Sequence, residues 1–490
     1  MDEVLSNGFT PLGHQVSAIQ QLQEGKRAIF LPYGLGKSFV SAYVVRDALY
    51  SGTILILCEK RNTHTWVTAL DAIFNQPLVY IVDGHVKLWR RVCDEDLRDT
   101  QNATMRVIIL SYSIMGNHID ELIIRLSQQN VNAIIADEST NFKNPKAALT
   151  KACLKLGSAF YDVPKYILSG GPHPEGNYEV WSQLEFTGRN PFESTYYKFL
   201  TKWFIHPRFC KPVVKLGLED EFRKRLEWAG IWIGEDDVLR IKKELGIPEE
   251  VYVIRQFPLS EEQTNLLAHL YRYWELPCEA PDDANTDINA KEEYGYALTV
   301  NTKAQQICSG FYYTQTGDTV FLKTNPKLTW LTGLLRELFE EDPQRKVVVW
   351  YAFKEERDMI LNSLPPQWGA VAGPDTEKLK QFQDDPNCRV IVTPEQICKG
   401  FNELIVADVD IFYSSTFSQE MRNQAEGRLP RIGSKFKYVR HIDLCSSDGR
   451  DYEVVTELQC KNLTKARLNT IVTKYMKGFF DDGETTAADW

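Results

Sequence analysis

The stretch Leu31-Pro32-Tyr33-Gly34-Leu35-Gly36-Lys37-Ser38 lies between the apolar residues 28–31 and a helix-like run beginning at Phe39. Its residue types suit an anion. Glycines let the backbone turn its N–H groups inward, a lysine brings a point charge to phosphates, and a serine hydroxyl can ligate Mg²⁺. Gly34, Leu35, Gly36, Lys37 and Ser38 are therefore the candidate cradle for a nucleotide. The usual loop of this kind has one more glycine, at the place held here by Leu31, so companion residues must decide the reading.

The strongest companion is the apolar run Ala133-Ile134-Ile135-Ala136 ending in Asp137-Glu138. Neighbouring strand residues point opposite ways, so Asp137 can face a metal while Glu138 turns toward a water above a γ-phosphate. On this reading Ser38 and Asp137 hold Mg²⁺, Glu138 polarises the nucleophile, and ATP is the substrate. Upstream, Gln15 has an amide that both donates and accepts, which could read an adenine edge; a solvated helix position fits it equally well. Far downstream, Arg428 and Arg431 are three residues apart, which on a helix places them on one face. A guanidinium against a γ-phosphate can raise the rate by a factor of about 10³ to 10⁵.

These residues need a scaffold, and the apolar pattern provides one. Segments 53–58, 78–82, 105–110, 133–136 and 166–168 read as strands, most of them separated by helix-like segments such as 39–49. That alternation marks a doubly wound α/β domain, whose ligands sit at the carboxyl ends of the strands. The rhythm resumes from Lys327, with a helix at 328–339, a strand at 346–351, a helix at 355–361 and strands at 390–392 and 406–412, but with no second cradle. In between, 196–215 interleaves Tyr196, Tyr197, Trp203 and Phe204 with Lys198, Lys202, Arg208, Lys211 and Lys215. Such a mixture suits exposed bases and their backbone, and equally a half-buried helix whose lysines extend into water. Residues 219–243 mix charges at helical spacing, Ser260 to Gln263 reads as a capped helix start, and 281–287 as an acidic loop that would lie away from DNA.

Composition narrows the class. The chain has 490 residues, 43% hydrophobic and 25% charged, enough for two or three globular domains. Its net charge of −10 argues against a protein that coats nucleic acid over its whole surface, while leaving room for a local basic groove. Ten cysteines without a C-x-x-C pair point to reduced packing residues. No apolar run approaches the roughly 18 to 20 residues needed to span a bilayer, so a soluble, cytoplasmic protein is expected.

Taken in order, these motifs resemble superfamily 2 helicases, and within them the Snf2-like DNA translocases. Gly34-Leu35-Gly36-Lys37-Ser38 is similar to their phosphate loop, Asp137-Glu138-Ser139-Thr140-Asn141-Phe142-Lys143-Asn144 to their Asp-Glu box, and Ser169-Gly170-Gly171-Pro172 to their coupling motif. Gln424-Ala425-Glu426-Gly427-Arg428-Leu429-Pro430-Arg431-Ile432-Gly433 resembles their last motif. The resemblance implies two RecA-like doubly wound parallel-sheet motor domains with a helical insertion between them: 1–205, 206–325 and 326–490. It implies Arg431 as the arginine finger with Arg428 its partner, and DNA contacts at Ser111, Tyr112, Lys143, Asn144 and Thr393. Residues 393–402 with Asp408 occupy the place of the motif that senses closure. Two departures stand out: Thr140 replaces the more usual histidine, and Gly171 replaces a threonine whose hydroxyl relays between sites, a role Ser169 could take. With so little appended to the core, a compact branch-migration or fork-remodelling motor is the expected task, with replication or recombination proteins as partners. A linear-duplex translocase of a restriction or repair system and a non-catalytic DNA-binding scaffold are the alternatives.

Overall fold

The computed structural model describes residues 10–46, 52–74, 78–82, 90, 106–172, 176–205, 212–273, 276, 300, 302–314, 317–395, 403–416 and 418–447. The chain divides into two compact units, Met1–Ile241 and Lys242–Trp490. Arg208, Lys211, the acidic loop 281–287 and Gly400, Phe401 and Asn402 lie outside the described residues.

In the first unit, β1 (Ala28–Phe30), β2 (Thr53–Cys58), β3 (Leu78–Val82), β4 (Arg106–Ser111), β5 (Val131–Ala136), β6 (Lys165–Ser169) and β9 (Gly230–Trp232) form one sheet in the order β3-β4-β2-β5-β6-β1-β9. Every pairing in it is parallel. β2 is buried along its whole length, as expected for an unbroken apolar run covered on both faces. The short strands β7 (Phe204–Ile205) and β8 (Val213–Val214) pair with each other alone.

The aromatic-and-basic stretch resolves into core and surface. Phe199, Trp203 and Phe204 are buried with Phe192 and Phe222, with ring centroids 4.8 Å apart for Phe192 and Phe222 and 5.2 Å for Phe199 and Phe204. Lys202 pairs with Glu193 at 2.7 Å, and Lys215 donates to the Thr201 carbonyl. Tyr197 is exposed.

The second unit carries β10 (Glu249–Phe257), β13 (Val347–Tyr351), β14 (Val371–Ala372), β15 (Val390–Pro394), β16 (Val409–Phe412) and β17 (Tyr438–Ser446), all parallel, in the order β10-β17-β16-β13-β15-β14. β11 (Phe311–Tyr313) and β12 (Thr319–Phe321) form a separate antiparallel pair. Strand alternation sorts the core: Val347, Val349 and Tyr351 face one cluster, Val348 and Trp350 the other. At the Glu261–Tyr273 helix, Ser260 and Gln263 cap each other reciprocally, at 2.9 and 3.2 Å.

Several strands fall where the sequence pattern does not show them, β9, β10, β14 and β17 among them. Residues 219–243 are two helices, Glu219–Ala229 and Glu235–Glu244, separated by β9. β10 joins the second sheet at its edge, so residues 206–325 give one strand to each sheet as well as helices. Edge position is the reason: β10 reads Glu-Glu-Val-Tyr-Val-Ile-Arg-Gln-Phe, with polar residues at places that a central strand would fill with apolar ones.

Candidate functional site

The cradle sits where β1 runs into the Lys37–Arg46 helix. Gly34 and Gly36 hold φ of 86° and 79°, the left-handed region that other residues avoid, and this turns the loop back toward the helix N-terminus. The Lys37 Nζ donates to the Leu31 carbonyl at 3.0 Å and lies 4.6 Å from the Tyr33 ring centroid. Gln15 is buried beneath this loop. Its Oε1 accepts from the Leu12 N–H at 2.9 Å and its Nε2 donates to the Leu35 carbonyl at 3.4 Å, so its amide braces the cradle from below. Ser38 stands in the first turn of the helix, and Ser41 donates to its carbonyl.

Asp137 and Glu138 follow β5 directly, and both are buried. Asp137 Oδ2 accepts from Trp66 Nε1 at 3.0 Å and Asn62 Nδ2 at 3.3 Å, while Oδ1 accepts from the Glu138 N–H at 3.0 Å. Burial pushes its pKa above the ordinary aspartate value, opposed by the Trp66 hydrogen bond and by the charge of Lys37. The ammonium of the cradle and the carboxylate of the box thus act on each other across β6, the strand between β1 and β5.

The two carboxylates stand beyond the strand and do not alternate along it as expected. β5 ends at Ala136, and Glu138 takes φ 48° and ψ 62°, which no other non-glycine among the described residues does with a positive φ. A left-handed glutamate costs on the order of 1–3 kcal/mol and is held by its surroundings. Asn141 Nδ2 donates to its carbonyl at 2.9 Å, and the Tyr112 hydroxyl donates to the Asp137 carbonyl at 2.7 Å.

The residues expected at DNA occupy varied settings. Tyr112 is buried under the box, and burial pushes its hydroxyl pKa well up. Ser111, also buried, caps the Tyr112–Leu126 helix by accepting from the Ser113 N–H. Lys143 pairs with the nearly buried Glu179 at 3.1 Å. Asn144 is exposed, its Oδ1 accepting from the Lys146 N–H at 3.0 Å. Thr393 is fully buried in β15.

Gln183, in the Trp181-Ser182-Gln183-Leu184 stretch that follows the coupling turn in the motif pattern, ties two loops together. Its Oε1 accepts from Ser139 Oγ at 2.6 Å, and its Nε2 donates to the Pro172 carbonyl at 2.5 Å. Ser169 Oγ accepts from the Gly171 N–H at 3.2 Å.

In the second unit the arginines are not on a helix. The Gln419–Glu426 helix ends at Gly427, and Arg428 and Arg431 stand in the turns beyond it. Gly427 terminates the helix, Pro430 cannot continue it, and the buried Leu429 anchors the turn. Arg428 is buried, whereas Arg431 is half-buried with its Nε donating to the Gly427 carbonyl at 2.8 Å.

The helix ahead of this turn is fixed by charge. Arg422, buried, binds Asp443 of β17 through two nitrogens at 2.5 and 2.9 Å, Glu426 at 2.8 Å and Ser415 Oγ at 3.0 Å. The Tyr252 hydroxyl connects Glu426 to Glu250, and Glu250 pairs with Lys242 at 2.6 Å. His441 completes the cluster, with Nδ1 2.8 Å from Asp410 Oδ1. Burial alone would lower its pKa, but Asp410, Glu250 and Glu426 together push it up to about 10. No spacing rule links residues so far apart in sequence, and Arg422 and Asp443 carry no motif of their own.

A nucleotide-phosphate cradle beside an Asp-Glu pair at the carboxyl ends of a parallel sheet, with a second parallel-sheet unit bearing an arginine turn, defines an ATPase core of the helicase type. Residues 15–309 match the family model described as the SNF2-related domain, and the chain belongs to that family. It is a superfamily 2, Snf2-like ATP-dependent DNA translocase or helicase in the general sense, with RecA-like motor domains. Among solved structures it is similar to the Sulfolobus solfataricus SWI2/SNF2 ATPase core in complex with dsDNA, at 16% identity over 95% of this chain and 97% of that one, with a TM-score of 0.42. No curated protein matches the chain. No helix among the described residues is long and apolar enough to cross a membrane.

Proposed function

We propose that this protein is a cytoplasmic motor that hydrolyses ATP to remodel branched DNA, by branch migration or fork processing. The observation that carries the hydrolytic part is that the cradle follows β1 and the buried Asp137 follows β5, both at the carboxyl ends of strands separated only by β6. Gly34 to Ser38 hold the phosphates, and Glu138 orients the attacking water; no covalent intermediate is needed. Arg428 and Arg431 act on the charge that develops at the γ-phosphate. One carboxylate, one hydroxyl and substrate phosphates make a donor set that suits Mg²⁺. Bound by Ser38 and Asp137, that ion would neutralise phosphate charge. Asn144, exposed beyond the box, is open to a DNA backbone through its amide nitrogen.

The branched-DNA reading makes a specific claim about the substrate. ATPase rates with linear duplex, single-stranded, forked and four-way-junction DNA and with RNA test it: the junction should stimulate most. Equal stimulation by linear duplex would favour a translocase of a restriction or repair system. Lys37→Ala and Glu138→Gln should each abolish stimulated hydrolysis in a folded protein. DNA binding by the wild type without any turnover would establish a scaffold instead.

A further inference from the structure

The Ser169-Gly170-Gly171-Pro172 turn has no side chain at residue 171 to carry a signal between sites, and the space there is open: a Cβ built on Gly171 would meet nothing within 4 Å. One residue earlier the opposite holds. A Cβ built on Gly170 would overlap the Tyr33 ring, with Cε1 and Cε2 only 2.6 Å away. The ring of Tyr33 therefore lies directly against the backbone of this turn, closer than any residue other than glycine permits. The same ring receives the Lys37 ammonium at 4.6 Å.

We propose that Tyr33 is a positioning residue that links the cradle lysine to the Ser169–Pro172 turn, taking the place of a hydroxyl relay at residue 171. The ammonium attracts the ring through the electrons of its face. A lysine drawn toward phosphates gives up part of that attraction, and the ring is then free to shift against Gly170. The far side of the turn is already connected to the box: the Pro172 carbonyl accepts from Gln183, and Gln183 accepts from Ser139, the residue after Glu138. Lys37, Tyr33, Gly170, Pro172, Gln183 and Ser139 thus form a continuous path of contacts within the first unit. The link is assigned to the aromatic ring, whose Cζ is the atom nearest the Cβ built on Gly170.

The link rests on the reading of the protein as a DNA-stimulated ATPase, and the experiment separates the two. For each variant, the DNA-stimulated rate is divided by its own DNA-free rate, and unfolding temperature is read alongside. Tyr33→Leu, which keeps apolar bulk but removes the ring face, should lower this ratio by about threefold to thirtyfold, the range of coupling changes for residues along such a path. Tyr33→Phe should retain the wild-type ratio. Gly170→Ala should lower it by displacing the ring, and should add nothing further in the Tyr33→Leu background, because the two act through one contact. A wild-type ratio in Tyr33→Leu, or additive losses in the double variant, would overturn the link while leaving the motor reading intact. A wild-type protein with no DNA stimulation at all would sink the motor reading itself.

Discussion

Asp137 and Glu138 in the first unit, and Arg428 and Arg431 in the second, are held by opposite physical means. Asp137 is buried, yet its side chain accepts only from neutral groups, Trp66, Asn62 and a backbone N–H. Neutral donors orient a carboxylate without cancelling its charge, so the charge stays available to a cation. The arginine turn follows a helix tied to its sheet by full charges, Arg422 against Asp443 and Glu426. Those charges are consumed by one another. The cluster therefore acts as a scaffold for the turn that carries Arg428 and Arg431.

The largest expected effects test this division. Arg431→Ala should reduce turnover by about 10³- to 10⁵-fold, the measured worth of such arginines in related chemistry, with little change in stability. Arg422→Met should do the reverse first: it strands Asp443 as an unpaired buried charge and destabilises the second unit by about 3–5 kcal/mol in denaturant unfolding. Combining Arg422→Met with Asp443→Leu should recover part of that loss, since the Asp443 charge is removed while Glu426 is still left without its arginine. Full stability of the single variant would show that the cluster is not the scaffold.

A second test turns on the left-handed backbone of Glu138. Asparagine tolerates that conformation better than glutamate, so Glu138→Asn should gain on the order of 1 kcal/mol of stability while losing turnover. A loss of both would mean that the glutamate side chain also holds the fold.

How far these features could be read from sequence follows from the same contrast. The carboxylates end an uninterrupted apolar run, so strand, end and chemistry coincide in four adjacent residue types. Glu138's backbone conformation could not be foreseen, because nothing in its neighbours requires it. The arginines were legible as residues but not in their setting: spacing suggests a helix face, and Gly427 with Pro430 breaks it. Arg422 and Asp443 lie 21 residues apart and meet only because β17 pairs with β16. Tyr33 and Gly170 are still further apart. Contacts of this kind depend on strand order, and strand order is a property of the whole sheet.

The charged cluster should also give the second unit a pH signature of its own. His441 titrates near 6.5 when unfolded and at about 10 when folded, so the folded state binds the extra proton between these values. Its contribution to stability is complete below about 6.5 and is lost as pH rises through about 10. Denaturant midpoints of the wild type should fall over that window, and His441→Gln should flatten the profile. A profile unchanged by the substitution would remove His441 from the scaffold.

The smallest effect concerns Lys143, which resemblance places at DNA and whose ammonium pairs with Glu179. Its side chain is 25% exposed and that of Glu179 only 7%, so the pair is better shielded than a surface bridge. Lys143→Ala should cost about 1 kcal/mol or less of stability. If neutralising Glu179 is its work, the salt dependence of DNA binding should be unchanged. A lysine that contacts phosphate instead lowers the slope of log affinity against log salt by about one on removal. That outcome would return Lys143 to the DNA surface and leave Glu179 as its second partner.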